Sequence, residues 1–274
     1  MSTSNFGYRG AVGRMAISGR GVITLMEVGT VFTGIIPRSI RVDEKGLVDD
    51  FVIYSYYRAP EQHQLKEDQS LPELQDSNLT PFDEISFAPV TLHFGSRPIT
   101  LRPGGPKDVR SVEYLLRQAA EAGQGFGIDE FKPNGQHNRA FFQKCHSAVL
   151  EDPNGSVIAA VLFGLSKLTR TTTLETSHVY IIVDDRYRRQ GIARTVLEEM
   201  SKIIRSLGYR RIITDVYSNN QAAINFCHKM NFLLTASIPH SGYLKNYGHC
   251  SSYVFVDQSN YTLGDLSSLT NAKL

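Results

Sequence analysis

Two hydrophobic periods follow one another in the middle of the chain. The β-branched and aromatic run Val179-Tyr180-Ile181-Ile182-Val183 stops at the polar pair Asp184-Asp185. Beyond it Val196, Ile203, Ile204 and Leu207 recur near the 3.6-residue period, with Glu198, Glu199 and Lys202 on the other face and Gly208 as a left-handed stop. A second strand is expected over Arg211 to Tyr217, alternating loosely at Ile213 and Val216. Strand, turn, helix and strand make a βαβ unit, whose strands run parallel and whose ligand lies at their carboxyl ends.

The same reading predicts a strand over 98–102, a helix over 107–122, and a loop with a short helix through 142. A hairpin follows, Ser147 to Glu151 against Ser156 to Leu165, turned by Asp152-Pro153-Asn154-Gly155. Leu174 to Val183 is expected antiparallel to it. A last helix, Asn220 to Met230, ends at Asn231, a residue that tolerates the left-handed conformation. Strands near Leu233 to Ile238 and Ser251 to Val256 close the sheet. The first 95 residues read as a β-rich extension and a polar linker. Val22 to Leu25, Val31 to Ile36 and Phe51 to Tyr57 are strand-like, Asp43 to Gly46 can turn a hairpin between Ile40 and Val48, and Ala59 to Pro81 is polar and proline-punctuated. Residues 96–257 form the main unit and 258–274 a polar tail.

Composition narrows the class without naming it. A chain of 274 residues with 41% hydrophobic side chains can bury a core, and a net charge of +2 gives no reason to expect nucleic acid. Three cysteines, Cys145, Cys227 and Cys250, form no short paired motif, so neither a metal site nor a disulfide framework is expected. No apolar run approaches the roughly 20 residues that span a bilayer. A cytoplasmic location is the default; Arg9, Arg14 and Arg20 before the first acidic residue, Glu27, keep mitochondrial import open.

The turn before the central helix carries the chemistry. Arg188, Gly191 and Ala193 have the spacing Arg-x-x-Gly-x-Ala at a helix entry. The first N–H groups of a helix lack internal partners and lie at the positive end of its dipole, and small residues there let a pyrophosphate reach bare backbone. The spacing fits neither a dinucleotide fingerprint nor a Walker loop.

It resembles instead the acyl-CoA loop of the GNAT acetyltransferase superfamily. Asn220, Ala223, Ile224, Phe226, Lys229 and Phe232 match that family's second signature, Asn-x-x-Ala-Ile-x-Phe-x-x-Lys-x-x-Phe, and Arg97 to Val109 is similar to its first strand and helix cap. The resemblance covers about residues 96 to 257. It implies an α/β fold with a central mixed, mostly antiparallel sheet, a βαβ acyl-CoA unit and flanking helices, beside the β-rich extension. It also implies acetyl-CoA as acyl donor, no metal, a small-molecule amine as acceptor, and a monomer or homodimer. Backbone around Ile181 and Val183 would pair with the pantetheine arm, and Arg189, Gln190, Gly191, Ile192, Ala193 and Arg194 would bind the pyrophosphate, with Arg188 and Arg194 adding charge. Asn220 would orient the pantetheine or cap the last helix, with Ala223 and Phe226 beside it.

The proton-transfer positions depart from the family pattern. The usual Glu slot holds Ser177 and the usual Tyr slot holds Cys227, which leaves Glu175, on the Ser177 face, and His178, on the opposite face, as candidate bases. Ile238 to Gly248 and Glu121 to Phe126 are similar to fungal members that acetylate proline analogues. A small amino or imino acid would then need donors such as Asn219, His240 or Lys245. A protein N-terminus or lysine as acceptor, with Tyr243, Tyr247 and Tyr253 flanking a groove, is the alternative, and a catalytically silent acyl-CoA sensor is another.

Overall fold

The protein is described by a computed structural model covering residues 10–16, 31–41, 47–56, 86–124, 145–165, 176–209, 211–244 and 247–258. Eleven strands form one sheet: β1 (Gly10–Ala16), β2 (Val31–Arg41), β3 (Leu47–Tyr56), β4 (Val90–Phe94), β5 (Arg97–Pro103), β6 (Cys145–Glu151), β7 (Val157–Leu165), β8 (Thr176–Val183), β9 (Arg211–Tyr217), β10 (Phe232–Leu244) and β11 (Gly248–Asp257). Their spatial order is β1-β3-β2-β10-β11-β9-β8-β7-β6-β5-β4. Among the described residues only β8 and β9 pair in parallel. Three α-helices flank the sheet among the described residues: α1 (Val109–Glu121), α2 (Ile192–Ser206) and α3 (Gln221–Lys229).

The βαβ unit is present as expected. In α2 the buried face is Ile192, Val196, Leu197, Met200 and Ile204, a helical stripe set against Val179, Ile212 and Val216 of the sheet. Burying each of these side chains contributes about 1.5–3 kcal/mol. Truncating Met200 or Ile204 to alanine would cost about 2–5 kcal/mol. Leu207 departs from the expected stripe and is exposed, because it is the C-cap and Gly208, at φ 96°, has already turned the chain. Asn231 takes φ 60° at the end of α3, as its side chain permits.

α1 covers the other face, where Val112, Leu115, Leu116, Ala119 and Ala120 meet Val149, Ala160, Leu162 and Ile182. With helices on both sides, β9 is buried on both faces, which explains its weak alternation in the sequence. The start of α1 is fixed by Asp108, whose carboxylate accepts the Gly105 N–H and two nitrogens of Arg102.

Three details differ from the expected elements. β4, which was not expected, pairs with β5 as a hairpin and puts Leu92 into the core. β1 was not expected; it pairs along β3 from Gly10↔Tyr56 to Ala16↔Asp50. Gly10 and Gly13, at its first and fourth positions, hide the strand character of this short segment. β10 continues through Pro239 to Leu244 because a bulge between Ile238 and Gly242 takes up the proline. The expected Val22 to Leu25 strand, the Ala59 to Pro81 linker, the short helix before 142 and the tail after 258 lie outside the described residues. The Ile40↔Val48 pairing occurs in the β2–β3 hairpin. β2 joins the sheet where Gly34 opposes Ala236, and a Cβ on Gly34 would stand 2.2 Å from the Ala236 Cα.

Candidate functional site: a forked strand pair

The parallel pair holds only from Thr176↔Arg211 to His178↔Ile213. Beyond that point β8 stays with β7 as far as Val183↔Ala159, and β9 stays with β11 as far as Tyr217↔Ser252. The sheet therefore forks at the carboxyl ends of β8 and β9. Backbone groups alternate along a strand, and the Asp184 N–H turns toward β7 to meet the Ile158 carbonyl. By that alternation Ile182 and Tyr180 also face β7, so the backbones of Val179, Ile181 and Val183 face the fork. Their side chains pack toward α2.

The loop leaving β8 is held in one shape by Asp184. This buried carboxylate accepts the Arg186 N–H at 3.0 Å and the Arg186 guanidinium at 3.0 and 2.8 Å. The guanidinium, with the backbone N–H, holds its carboxyl below the usual carboxylate range. Arg189 (φ 61°) and Gly191 (φ 81°) are both left-handed. Among the described residues no acceptor meets the backbone N–H of Arg189, Gln190, Gly191, Ile192 or Ala193, whereas those of Arg188 and Arg194 bond to Asp185 and Gly191 carbonyls. Such a run of N–H groups around left-handed residues at a helix start forms a concave anion nest. Among the described residues, beyond its chain neighbours, nothing lies within 4 Å of a Cβ built on Gly191, so the nest is open on that side.

At the base of the fork, on the α1 face, four side chains converge. His178 Nε2 stands 2.6 Å from Asp215 Oδ1 and accepts the Asp215 backbone N–H at 3.2 Å. Tyr180 donates to the same oxygen at 2.7 Å and Ser252 to Oδ2 at 3.2 Å. The His178 and Tyr180 rings stack at 4.4 Å. The imidazole is 3% exposed, while the Asp215 side chain is 24% exposed and forms the open side of the cluster.

Several expected site residues hold structural positions. The Ser177 hydroxyl is fully buried and accepts the Gly164 N–H at 3.1 Å. Cys227 lies in the core, where burial pushes its thiol up to about 12. Asn220 caps α3, its Oδ1 accepting from the Ala223 N–H at 3.1 Å. Ala223 and Phe226 pack against the core from the same helix. Arg194 pairs with Glu198 at 2.9 Å on the surface. Arg188 contacts the Val183 carbonyl, Asp185 and Gln124. The Asn219 amide donates to the Gly123 carbonyl at 3.2 Å. Glu175 and Lys245, and the side chains of His240 and Tyr243, lie outside the described residues. The sequence reading passed over Asp215, Tyr180 and Ser252. Only the fork brings them together. No group of three or more potential metal ligands occurs among the described residues. No described helix is long and apolar enough to cross a membrane.

A mixed sheet forked at its parallel pair, with a helix entry aimed at the fork, defines the acetyltransferase class of fold. Residues 115–232, from α1 to the first residue of β10, match the profile of the acetyltransferase (GNAT) family. That stretch, a little under half of the chain, is thus similar to a GNAT acetyltransferase domain. No curated protein sequence matches it. Similar solved structures include a GCN5-related N-acetyltransferase from Kribbella flavida, at 16% identity and a TM-score of 0.48, covering 58% of this chain and 96% of that one. An N-acetyltransferase from Staphylococcus aureus Mu50 has 22% identity and a TM-score of 0.49, with 58% and 96% covered. A ribosomal-protein-alanine N-acetyltransferase from Brucella melitensis has 16% identity and a TM-score of 0.49, with 57% and 98% covered.

Proposed function

We propose that the protein transfers an acetyl group from acetyl-CoA to the amino group of a small molecule, an amino or imino acid being the favoured acceptor, by direct attack in a ternary complex. The observation that carries this reading is the row of N–H groups from Arg189 to Ala193 beside the unpaired edge of β8. The pyrophosphate accepts from that row, and the pantetheine arm lies along the Ile181 and Val183 backbone in the fork. The thioester then reaches the base of the fork, where backbone N–H groups polarise its carbonyl. The amine nitrogen attacks the carbonyl carbon, the C–S bond breaks, and the thiolate leaves. Holding the two reactants in one geometry supplies much of the acceleration, because effective molarities in such arrangements reach about 10⁵–10⁸ M.

A panel of free amino acids, imino acids, simple amines and short peptides, assayed for thiol release from acetyl-CoA, tests this. Amine-dependent release with the small acceptors supports the reading. Release with peptides alone would move the acceptor to a protein terminus or lysine, and tight acetyl-CoA binding without release would make the protein a sensor.

A further inference from the structure

We propose that Asp215 is the catalytic residue that receives the acceptor as an ammonium ion and takes its proton, with His178 as the positioning residue behind it; this rests on the acetyl-transfer reading above. Because pairing ends at His178↔Ile213, Asp215 is the next residue of β9 on that face and stands just beyond the branch point. There it faces the same gap as the β8 backbone, on the side opposite α2. A nucleophile entering from the α1 face therefore meets Asp215 as it reaches a thioester drawn through the fork.

The cluster is arranged to hold charge at that spot. Asp215 Oδ1 receives Tyr180 and lies 2.6 Å from His178 Nε2, and Oδ2 receives Ser252. An ionised carboxylate at Asp215 places a negative charge there. It can attract a cation and accept a proton. An aliphatic amine arrives protonated at neutral pH and has no lone pair to attack with. The step is then the transfer of one N–H proton from the ammonium to the Asp215–His178 pair. Attack by the freed lone pair follows, with N–C formation and C–S cleavage. The second N–H proton leaves with the thiolate as the amide forms, and the pair returns its proton to solvent. The acceptor class this selects is the basic aliphatic amine. A weakly basic nitrogen nucleophile, already neutral, does not need the pair.

That difference provides the test. With saturating acetyl-CoA, wild type and Asp215→Asn are assayed with L-proline and propylamine as charged acceptors and with O-methylhydroxylamine, which is uncharged at neutral pH. Acetyl-CoA affinity, measured by calorimetry, checks that the variant is folded. The expected result is a loss of about 100-fold to 10,000-fold in kcat/KM with the charged amines and about tenfold or less with O-methylhydroxylamine. His178→Gln, which keeps the carboxylate, should show the same difference at smaller size, and stands in if Asp215→Asn does not fold. Equal losses with both kinds of nucleophile would overturn the proposal by making the cluster purely structural. Wild-type transfer to O-methylhydroxylamine but to neither charged amine would overturn it while leaving acetyl transfer intact. No transfer to any nucleophile would overturn both.

Discussion

Arg188 Nε donates to the Val183 carbonyl oxygen at 3.0 Å while another nitrogen of the same guanidinium reaches Gln124 Oε1 at 2.5 Å. One side chain thus joins the end of β8 to the turn after α1. It also pairs with Asp185 at 2.6 Å, so it braces the loop beneath the anion nest. Hydrogen bonds to a charged group contribute about 1.5–3 kcal/mol each. We expect Arg188→Ala to weaken acetyl-CoA binding by about tenfold to 100-fold by calorimetry. Gln124→Ala should leave that affinity within about threefold and raise the acceptor KM, because it removes only the arm toward α1. Unchanged acetyl-CoA affinity in Arg188→Ala would show that the loop holds its shape without the brace.

Gly191 and Gly208 form a matched pair at the two ends of α2. Both are left-handed, at φ 81° and 96°, and among the described residues, beyond its chain neighbours, a Cβ on either meets nothing within 4 Å. Alanine at each should cost a similar 1–2 kcal/mol, roughly, from backbone conformation. Only Gly191→Ala should also weaken acetyl-CoA binding, since only that glycine lies in the nest. Equal affinities for the two variants would place the pyrophosphate elsewhere.

The buried Cys227 thiol gives a pH prediction of definite sign. Burial raises it from an unfolded value near 9 to about 12. Below the unfolded value both states are neutral and no stability is lost. As pH rises from there toward 12 the unfolded thiol ionises while the folded one does not, and stability falls by about 1.4 kcal/mol per pH unit at most. Urea unfolding of wild type and Cys227→Ala at pH 8 and 10 should show the variant losing less stability over that interval. Its kcat should stay within about tenfold of wild type, well short of what removal of a positioned acid costs. A loss of 1,000-fold or more with acetyl-CoA binding intact would make the thiol a participant in the chemistry.

What the sequence disclosed follows from how local each signal is. The loop from Arg188 to Arg194, α2 and the stops at Gly208 and Asn231 are written in consecutive residues, because helix period and left-handed turns are local properties. The cap at Asn220 is local too, its side-chain carbonyl accepting the Ala223 N–H three residues on. The Asp215 cluster is not local. In sequence Asp215 is one polar position in Ile213-Thr214-Asp215-Val216, and its meeting with His178 depends on where a parallel pairing stops. Ser177 and Cys227 stand at the family's proton-transfer slots by spacing alone. Burial, which spacing does not report, put the first against the Gly164 N–H and the second in the core.

The division of the chain is a further expectation. Both helical layers and the fork lie within β4 to β11, and the extension meets that unit through the pairing of Gly34 with Ala236. A chain starting at Ser86 should fold and bind acetyl-CoA with affinity within about threefold of the full chain. One starting at Gly95 loses β4 and the buried Leu92, and should be less stable by about 2–5 kcal/mol. Circular dichroism melts of the two truncations decide it. An unfolded Ser86 chain would mean that the extension completes the core.

The most direct measurement follows the acetyl group itself. The protein is incubated with deuterium-labelled acetyl-CoA and an acceptor that supports thiol release, and the label is located by mass spectrometry. Direct transfer in the fork predicts label on the amine nitrogen in amounts equal to the thiol released, with none retained on the protein. Label recovered as free acetate, or held on a protein side chain during turnover, would contradict it.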